Sequence, residues 1–387
     1  MLRIEDLLKD LADDGIMEST GSFTLDPKKA EEKLRHFSFA EPHHYLLKIL
    51  QCAVAGGATW VKVRIGAGKV CVEFDGDTMA EGEVAALAGY LLSQELAVEQ
   101  RRFRHLAAGL RGAAACGPEA VIFDFFTGSR RVRRIWDKAG WRPAECPGGN
   151  KPAPHRFILD RTFGQSMTTA REEFVSAIGT GYTAEEKMLV DRCRFAVCGI
   201  SLDGETLPGP RFGEARYPGY DIGSDPNPGE ARPPRYIRSG FIFKDDYMVA
   251  DHHLIERLVP STVDFPGCLP LPVSEATLRL EPPDSGLCRA WIAITAALDP
   301  PRLAYVEDGV IVESEEDASD IPVAGFHAVV STIGLQKDLT GFQLVRDESF
   351  ERQRKWLREQ ALEMKGRLLE ELALFPNRER IGEVLAP

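Results

Sequence analysis

The sequence predicts an α+β fold: a helix-and-sheet sandwich, a smaller α/β domain after it, and a C-terminal helix. Three observations carry this reading. Residues 46–79, LLKILQCAVAGGATWVKVRIGAGKVCVEFDGDTM, run as a helix, a Gly-Gly turn and two strands. Short apolar runs of strand length recur downstream, divided by turn residues. A charged segment with helical periodicity lies near the end of the sequence.

The first helix spans residues 43–55. Leu46, Leu47, Leu50, Ala53 and Val54 recur at three- and four-residue spacing and make one apolar face. Gly56-Gly57 stops it, since glycine tolerates the left-handed backbone of a helix C-terminus. Residues 60–65 alternate as a half-buried strand, Gly66-Ala67-Gly68 turns the chain, and residues 70–74 return. Residues 83–92 and 100–116 read as helices. Strands follow at 120–126, 131–136 and 155–159, with a Pro/Gly-rich loop over 144–154. A helix at 185–194 and a strand at 195–202 close the first domain.

This layout resembles the GHKL superfamily of gyrase, the ninety-kilodalton heat-shock chaperone, histidine kinases and MutL. In that family a helix of pattern E-x-x-x-N-x-x-D precedes a G-A-T-like turn, two strands and a D-x-G-x-G segment. Gly57-Ala58-Thr59 sets the register here. The glutamate that activates water falls on Lys48, the magnesium-ligating asparagine on Cys52, and the adenine-binding aspartate on Phe74. Asp75 takes that last place only after a one-residue slip, which turns its side chain to the other sheet face. Gly76 follows in the same segment. Gly109-Leu110-Arg111-Gly112 matches the family's G-F-R-G stretch, whose glycine backbone approaches the phosphates. The resemblance thus implies a Bergerat-type α/β sandwich, with ATP and Mg2+ as cofactors. It places the nucleotide site at Lys48, Cys52, Phe74, Asp75, Gly76, Gly109, Arg111 and Gly112.

The chemistry at those positions has changed. A general base must accept a proton near neutral pH, and lysine is ordinarily protonated there. Magnesium prefers hard oxygen ligands to sulfur. Phenylalanine cannot accept a hydrogen bond from adenine. His44, one helical turn before Lys48, is the available substitute base. A helix histidine is more commonly a packing or surface residue, and spaced glycines also serve close helix packing.

The chain divides at residues 1–207, a linker or long loop at 208–235, a second α/β domain at 236–345, and the helix and tail at 346–387. In the second domain, strands are expected at 241–243, 278–280, 290–295, 303–306 and 310–312, with a further short apolar run at 324–330 and a short helix at 254–259. The resemblance extends to the small, ribosomal-protein-like domain that follows the nucleotide domain in gyrase and MutL. That domain commonly donates a lysine to the γ-phosphate, and Lys337 is the candidate. Asp251-His252-His253 invites a metal reading, but adjacent side chains diverge, so no metal is assigned. The tail helix, 348–374, carries Phe350, Trp356, Leu357, Ala361, Met364 and Leu368 near helical spacing. It packs on its own chain or pairs two protomers into a homodimer, the first being favoured.

Charge and composition narrow the function classes. Lys and Arg total 47 against 59 Asp and Glu, a net charge of -12 that disfavours nucleic acid as partner. Arg130, Arg131, Arg133 and Arg134 therefore read as a solvated hairpin face. No apolar run approaches the roughly 18 residues that span a bilayer. Residues 1–15 read as a charged amphipathic helix without a signal peptide's apolar centre, and the expected location is the cytoplasm. The eight cysteines show no C-x-x-C pair and suit free thiols in a reducing compartment. No helical segment with a phospho-acceptor histidine precedes the domain, which disfavours a histidine kinase. Two readings stay open: a non-catalytic scaffold or regulatory protein with a protein partner or client, and a chaperone-like ATPase using His44 and Asp75 as substitutes.

Overall fold

The computed structural model describes residues 38–93, 97–138, 140–146, 154–178, 183–207, 243–244, 247–248, 253–262, 266–270, 287–295, 300–370, 372–374 and 378–385. The expected N-terminal helix, the linker, the strand at 278–280 and the pair Asp251-His252 lie outside them. The first domain contains α1 (His44–Ala55), β1 (Trp60–Gly66), β2 (Lys69–Phe74), α2 (Glu81–Ala85), α3 (Leu87–Leu92) and α4 (Arg101–Ala115). It continues through β3 (Ala120–Phe126), β4 (Arg131–Asp137), β5 (Gly140–Ala144), β6 (His155–Asp160), α5 (Phe163–Ile178), α6 (Ala184–Arg192), β7 (Gly199–Leu202) and β8 (Glu205–Thr206). Its eight strands form one mixed sheet in the order β5-β4-β3-β6-β2-β1-β7-β8. The β1–β7 pair is parallel, and β1–β2 is the expected hairpin.

Helix α1 is buried along almost its whole length, from Tyr45 to Val54, because both of its sides are covered. One side meets the sheet, where Tyr45 packs on Phe157 of β6. The other meets α4 at very short range. A Cβ on Gly109 would lie 2.8 Å from Ile49 of α1, and one on Gly112 would lie 2.1 Å from the Phe39 ring. Gly109 lets the two helices approach, and Gly112 makes room for the Phe39 ring.

A second sheet follows a short hairpin of β9 (Phe243–Lys244) and β10 (Tyr247–Met248). Its strands are β11 (His253–Pro260), β12 (Leu269–Pro270), β13 (Leu287–Thr295), β14 (Arg302–Glu307), β15 (Val310–Glu315) and β16 (Phe326–Ser331). The order is β11-β13-β16-β14-β15, with β12 beside β13. Helix α7 (Glu348–Glu370) lays Phe350, Leu357, Ala361, Met364 and Leu368 into this sheet's core. The tail helix therefore buries its apolar face in its own chain. Helix α8 (Arg378–Leu385) adds Ile381 and Leu385 to the same core.

The two sheets are packed against one another. Phe342 touches the cores of both. Phe195 sets its ring edge against Trp291 of β13, with centroids 5.6 Å apart. Arg192, at the end of α6, donates to the Ile311 and Val312 carbonyls of β15 at 2.7 Å each. The molecule is a mixed α+β protein with a large mixed sheet, a smaller second sheet and flanking helices. Among the described residues no helix is long and apolar enough to cross a membrane.

Several local expectations change. Residues 254–259 were expected as helix and form β11 instead. They pair with β13, setting Leu258 opposite Trp291, and tertiary pairing overrides helical spacing in so short a run. The helix expected over 83–92 is split into α2 and α3. Residues 195–198 leave the expected strand so that Phe195 can enter the second core. Strand β5 and helices α5 and α8 were not anticipated.

The helix contact gives a test. Gly112→Ala should cost about 1–3 kcal/mol in urea denaturation, because the new methyl overlaps the Phe39 ring. Gly82→Ala, where a Cβ meets nothing within 4 Å, should be neutral or gain up to about 1 kcal/mol.

Candidate functional site

The residue matched to the family's base, Lys48, projects from the middle of α1 and is 2% exposed. Its Nζ donates to the Gly341 carbonyl at 3.3 Å and lies 4.2 Å from the centroid of the Phe342 ring. Both partners belong to the loop between β16 and α7. Burial pushes the ammonium down to about 8, with nearby Glu307 opposing that shift. At neutral pH Lys48 is a cation held by the second domain.

Beside it lies a buried ionic knot. Strands β14 and β15 are joined by Asp308-Gly309, both at positive φ (45° and 81°), as a two-residue hairpin turn requires. A Cβ on Gly309 would lie 2.5 Å from Ala196, so the turn docks where a larger residue does not fit. The turn carries two acidic side chains into the groove beside α1 and α4. Asp308 accepts from Arg101 Nη2 at 2.8 Å and pairs with His105 Nε2 at 3.0 Å. Glu307 Oε1 pairs with Lys337 at 3.0 Å, and its backbone carbonyl accepts from Gln51 Nε2 at 3.0 Å. Burial alone would raise both carboxyls. The His105 bond and the Arg101 charge hold Asp308 well below its ordinary range, and the Lys337 charge does the same for Glu307. Burial holds His105 down despite its Asp308 bond, so a neutral imidazole donates to an ionised carboxylate.

His105, Glu307 and Asp308 bring ligand-type atoms within 4.8 Å of one another. Arg101, Lys337 and Lys48 already surround them with positive charge. A divalent ion here would face three cations, so the cluster reads as an ion-pair network.

The substitute base is also engaged. His44 Nε2 faces Arg192 Nη1 at 2.9 Å and accepts its hydrogen bond. The ring packs 4.6 Å from Phe342. Burial, then the charges of Arg192 and Lys48, push the imidazole down to about 4. Its lone pair is therefore occupied by a guanidinium and is no base for a water molecule.

The positions matched to magnesium and adenine do not fit those groups. Cys52 is fully buried, and burial pushes its thiol up to about 12, so it offers neither an oxygen nor a thiolate. Phe74 is 1% exposed and packs 5.2 Å from His155, whose Nε2 pairs with the Asp77 carbonyl at 3.1 Å. Asp75 accepts from the Thr59 backbone N–H at 2.7 Å, the Thr59 hydroxyl at 2.5 Å and the Trp60 N–H at 3.0 Å. It clamps the Gly-Ala-Thr turn. Gly76, at φ +119°, allows its segment to lie against α1, since a Cβ would sit 2.7 Å from the Gly56 carbonyl.

The expected phosphate stretch is corrected by its place in the fold. Gly109 lies in the middle of α4 and Gly112 in its last turn, where backbone N–H groups belong to the helix ladder. Only the first turn of a helix has amides free for an anion. The two glycines serve the packing on Ile49 and Phe39, and Arg111 is half-buried between them. Lys337 does approach the Lys48 position, but its ammonium is tied to Glu307 and to the Thr332 and Leu335 carbonyls at 3.1 and 3.3 Å. Sequence reasoning missed Arg101, His105, Glu307 and Asp308. The Asp308-Gly309 dipeptide between two apolar runs was the available signal for the hairpin.

No family model and no curated protein matches this chain. Among solved structures it is similar to one titled the crystal structure of the N-terminal domain of a DNA repair protein, at 11% identity and a TM-score of 0.30. That match covers 44% of this chain and spans half the length of the other. So low a TM-score carries no argument about fold or function.

Two outcomes follow from the ionic knot. Asp308→Ala strands Arg101 and His105 in the interior and should cost about 3–5 kcal/mol in chemical denaturation. For Lys48 the folded pKa lies below the unfolded one, about 8 against 10.5. The unfolded chain therefore holds more protons between those values, and this group's contribution to stability rises with pH across that window. Stability of the native protein relative to Lys48→Met should rise by roughly 3 kcal/mol from pH 8 to 10.5 and stay flat from pH 6 to 7.

Proposed function

We propose that the chain is a non-catalytic protein with a degenerate GHKL-type nucleotide domain, acting as a scaffold or regulatory protein with at most weak affinity for ATP. One observation carries this reading. Lys48 and Lys337, the positions matched to the family's base and to its γ-phosphate lysine, converge beside one carboxylate of the chain itself, Glu307. Their meeting supports the family's arrangement of two domains. The acidic turn between them supports a site that is closed by protein rather than by nucleotide.

The donor set agrees. Cys52 and Phe74 offer nothing to magnesium or adenine, and Asp75 is tied to the Gly-Ala-Thr turn. A working ATPase with His44 as base would need an imidazole free to accept a proton. His44 instead takes a hydrogen bond from Arg192. The expected counterpart is a protein partner or client. Helix α5 offers Phe163 and Met167, 83% and 58% exposed and one turn apart, as the kind of surface such a partner covers.

The test is nucleotide binding followed by hydrolysis. A ligand at a hundred times its dissociation constant adds about 2.7 kcal/mol to stability. Millimolar ATP, ADP or a non-hydrolysable analogue, with and without Mg2+, should leave the melting temperature within about a degree, well short of that effect. Phosphate release should match that of Lys48→Ala. Turnover that disappears in His44→Ala or Asp75→Asn would overturn the proposal and establish a substitute catalytic set.

A further inference from the structure

A cavity of about 520 Å³ lies where the start of α1, the end of α4 and the first turns of α5 meet. Of the positions matched to the nucleotide site only Gly112 borders it. Its size falls in the roughly 300–1,000 Å³ range of small-molecule sites.

Its walls combine an ionic floor with apolar sides. Glu185 and Arg161 pair at 2.5 Å with side chains only 5% and 7% exposed. Arg161 also donates to the Thr169 hydroxyl. The other Glu185 oxygen meets His43 Nδ1 at 3.0 Å and the Tyr45 hydroxyl at 3.5 Å. Phe39, Pro42, Ala115 and Leu159 supply apolar surface, and Ser38 and Thr168 supply hydroxyls. Cys116 also borders the space, but its thiol donates to the Pro42 and Gly112 carbonyls and is pushed up to about 11 by burial. It is wall, not nucleophile.

We propose that this cavity binds a small uncharged ring compound carrying hydroxyl or amide groups, of nucleoside or glycoside size, with His43 Nε2 hydrogen-bonded to it. Three features fix that class. The lining carboxylate and guanidinium neutralise each other in direct contact, so a charged ligand would lose its water and gain no counter-charge. His43 directs Nδ1 to Glu185, which orients the ring and leaves Nε2 as its second hydrogen-bonding atom. That side chain is 33% exposed, so the ring is reachable from the cavity. The apolar sides match a ring face, while the hydroxyls match polar substituents. A buried ion pair is also a costly way to fill space that hydrocarbon would fill as well.

The experiment is ligand-observed NMR on the full chain with adenosine, uridine and methyl glucoside, beside uridine monophosphate and glucuronate. At least one neutral compound should bind. Thr168→Phe, at an exposed helix position whose hydroxyl bonds only its own helix at Gly164, should fill the mouth and abolish that signal. His43→Ala should weaken it by about tenfold, the loss of one hydrogen bond. The proposal is overturned if none of the neutral compounds binds, if binding survives Thr168→Phe, or if the charged compounds bind as well as the neutral ones. Because this cavity lies apart from Lys48, ATP binding elsewhere would survive Thr168→Phe, and the two proposals fail separately.

Discussion

Two carboxylates, one at the end of β14 and one in the turn that follows it, hold the halves of this molecule in register. Glu307 and Asp308 are 5% and 2% exposed, and each is met by a cation or an imidazole donor from another element. Burying such charges is expensive unless every one is paired and hydrogen-bonded. The pairing therefore dictates the neighbourhood. Arg101 and His105 must lie one turn apart on α4, Gln51 must reach the turn's backbone from α1, and Lys337 must return from the loop after β16. Moving any of these elements would strand a charge in the interior.

The close approach of α1 and α4 serves the same end. A side chain at Gly109 would push the helices apart and carry Arg101 and His105 away from Asp308. Phe342 works from the other side. Its ring packs against His44 and Phe39 and lies within 5 Å of the Lys48 and Arg192 cations. One aromatic residue thus joins two hydrophobic cores and two positive charges. The apolar and ionic parts of the interface reinforce each other, since excluding water strengthens the ion pairs.

Sequence alone revealed the elements whose signals are local. The α1 helix, the β1–β2 hairpin, β3, β13, β14 and α7 follow from periodicity, from Gly-Gly and Gly-Ala-Gly punctuation and from apolar runs. Strand β11 was misread because Leu-Ile-Glu-Arg-Leu-Val suits either a helix or a strand, and only the partner strand decides. The site was less legible still. Lys48 was visible as an anomaly at a matched position. That it meets Gly341, and that Glu307 lies beside Lys337, depends on contacts nearly 300 and exactly 30 positions apart respectively that no periodicity encodes. Glycine spacing at 109 and 112 carried two meanings, and the neighbours Ile49 and Phe39 choose between them.

The residues around Lys48 share one logic. Polar groups buried in this region must find their partners within the chain. Lys48 finds a carbonyl and an aromatic face, Phe74 finds His155, and Asp75 finds three donors of an adjacent turn. Cys52 carries a thiol that burial keeps protonated and apolar in effect. Each of these residues makes sense beside the others and would be unfavourable alone. A lysine buried on α1 without the 341–342 loop and Glu307 would be an uncompensated charge. The acidic turn without Arg101, His105 and Lys337 would be two. A glutamate at position 48 would place a third carboxylate next to Glu307 and remove a cation from the knot, so Lys48→Glu should weaken the fold.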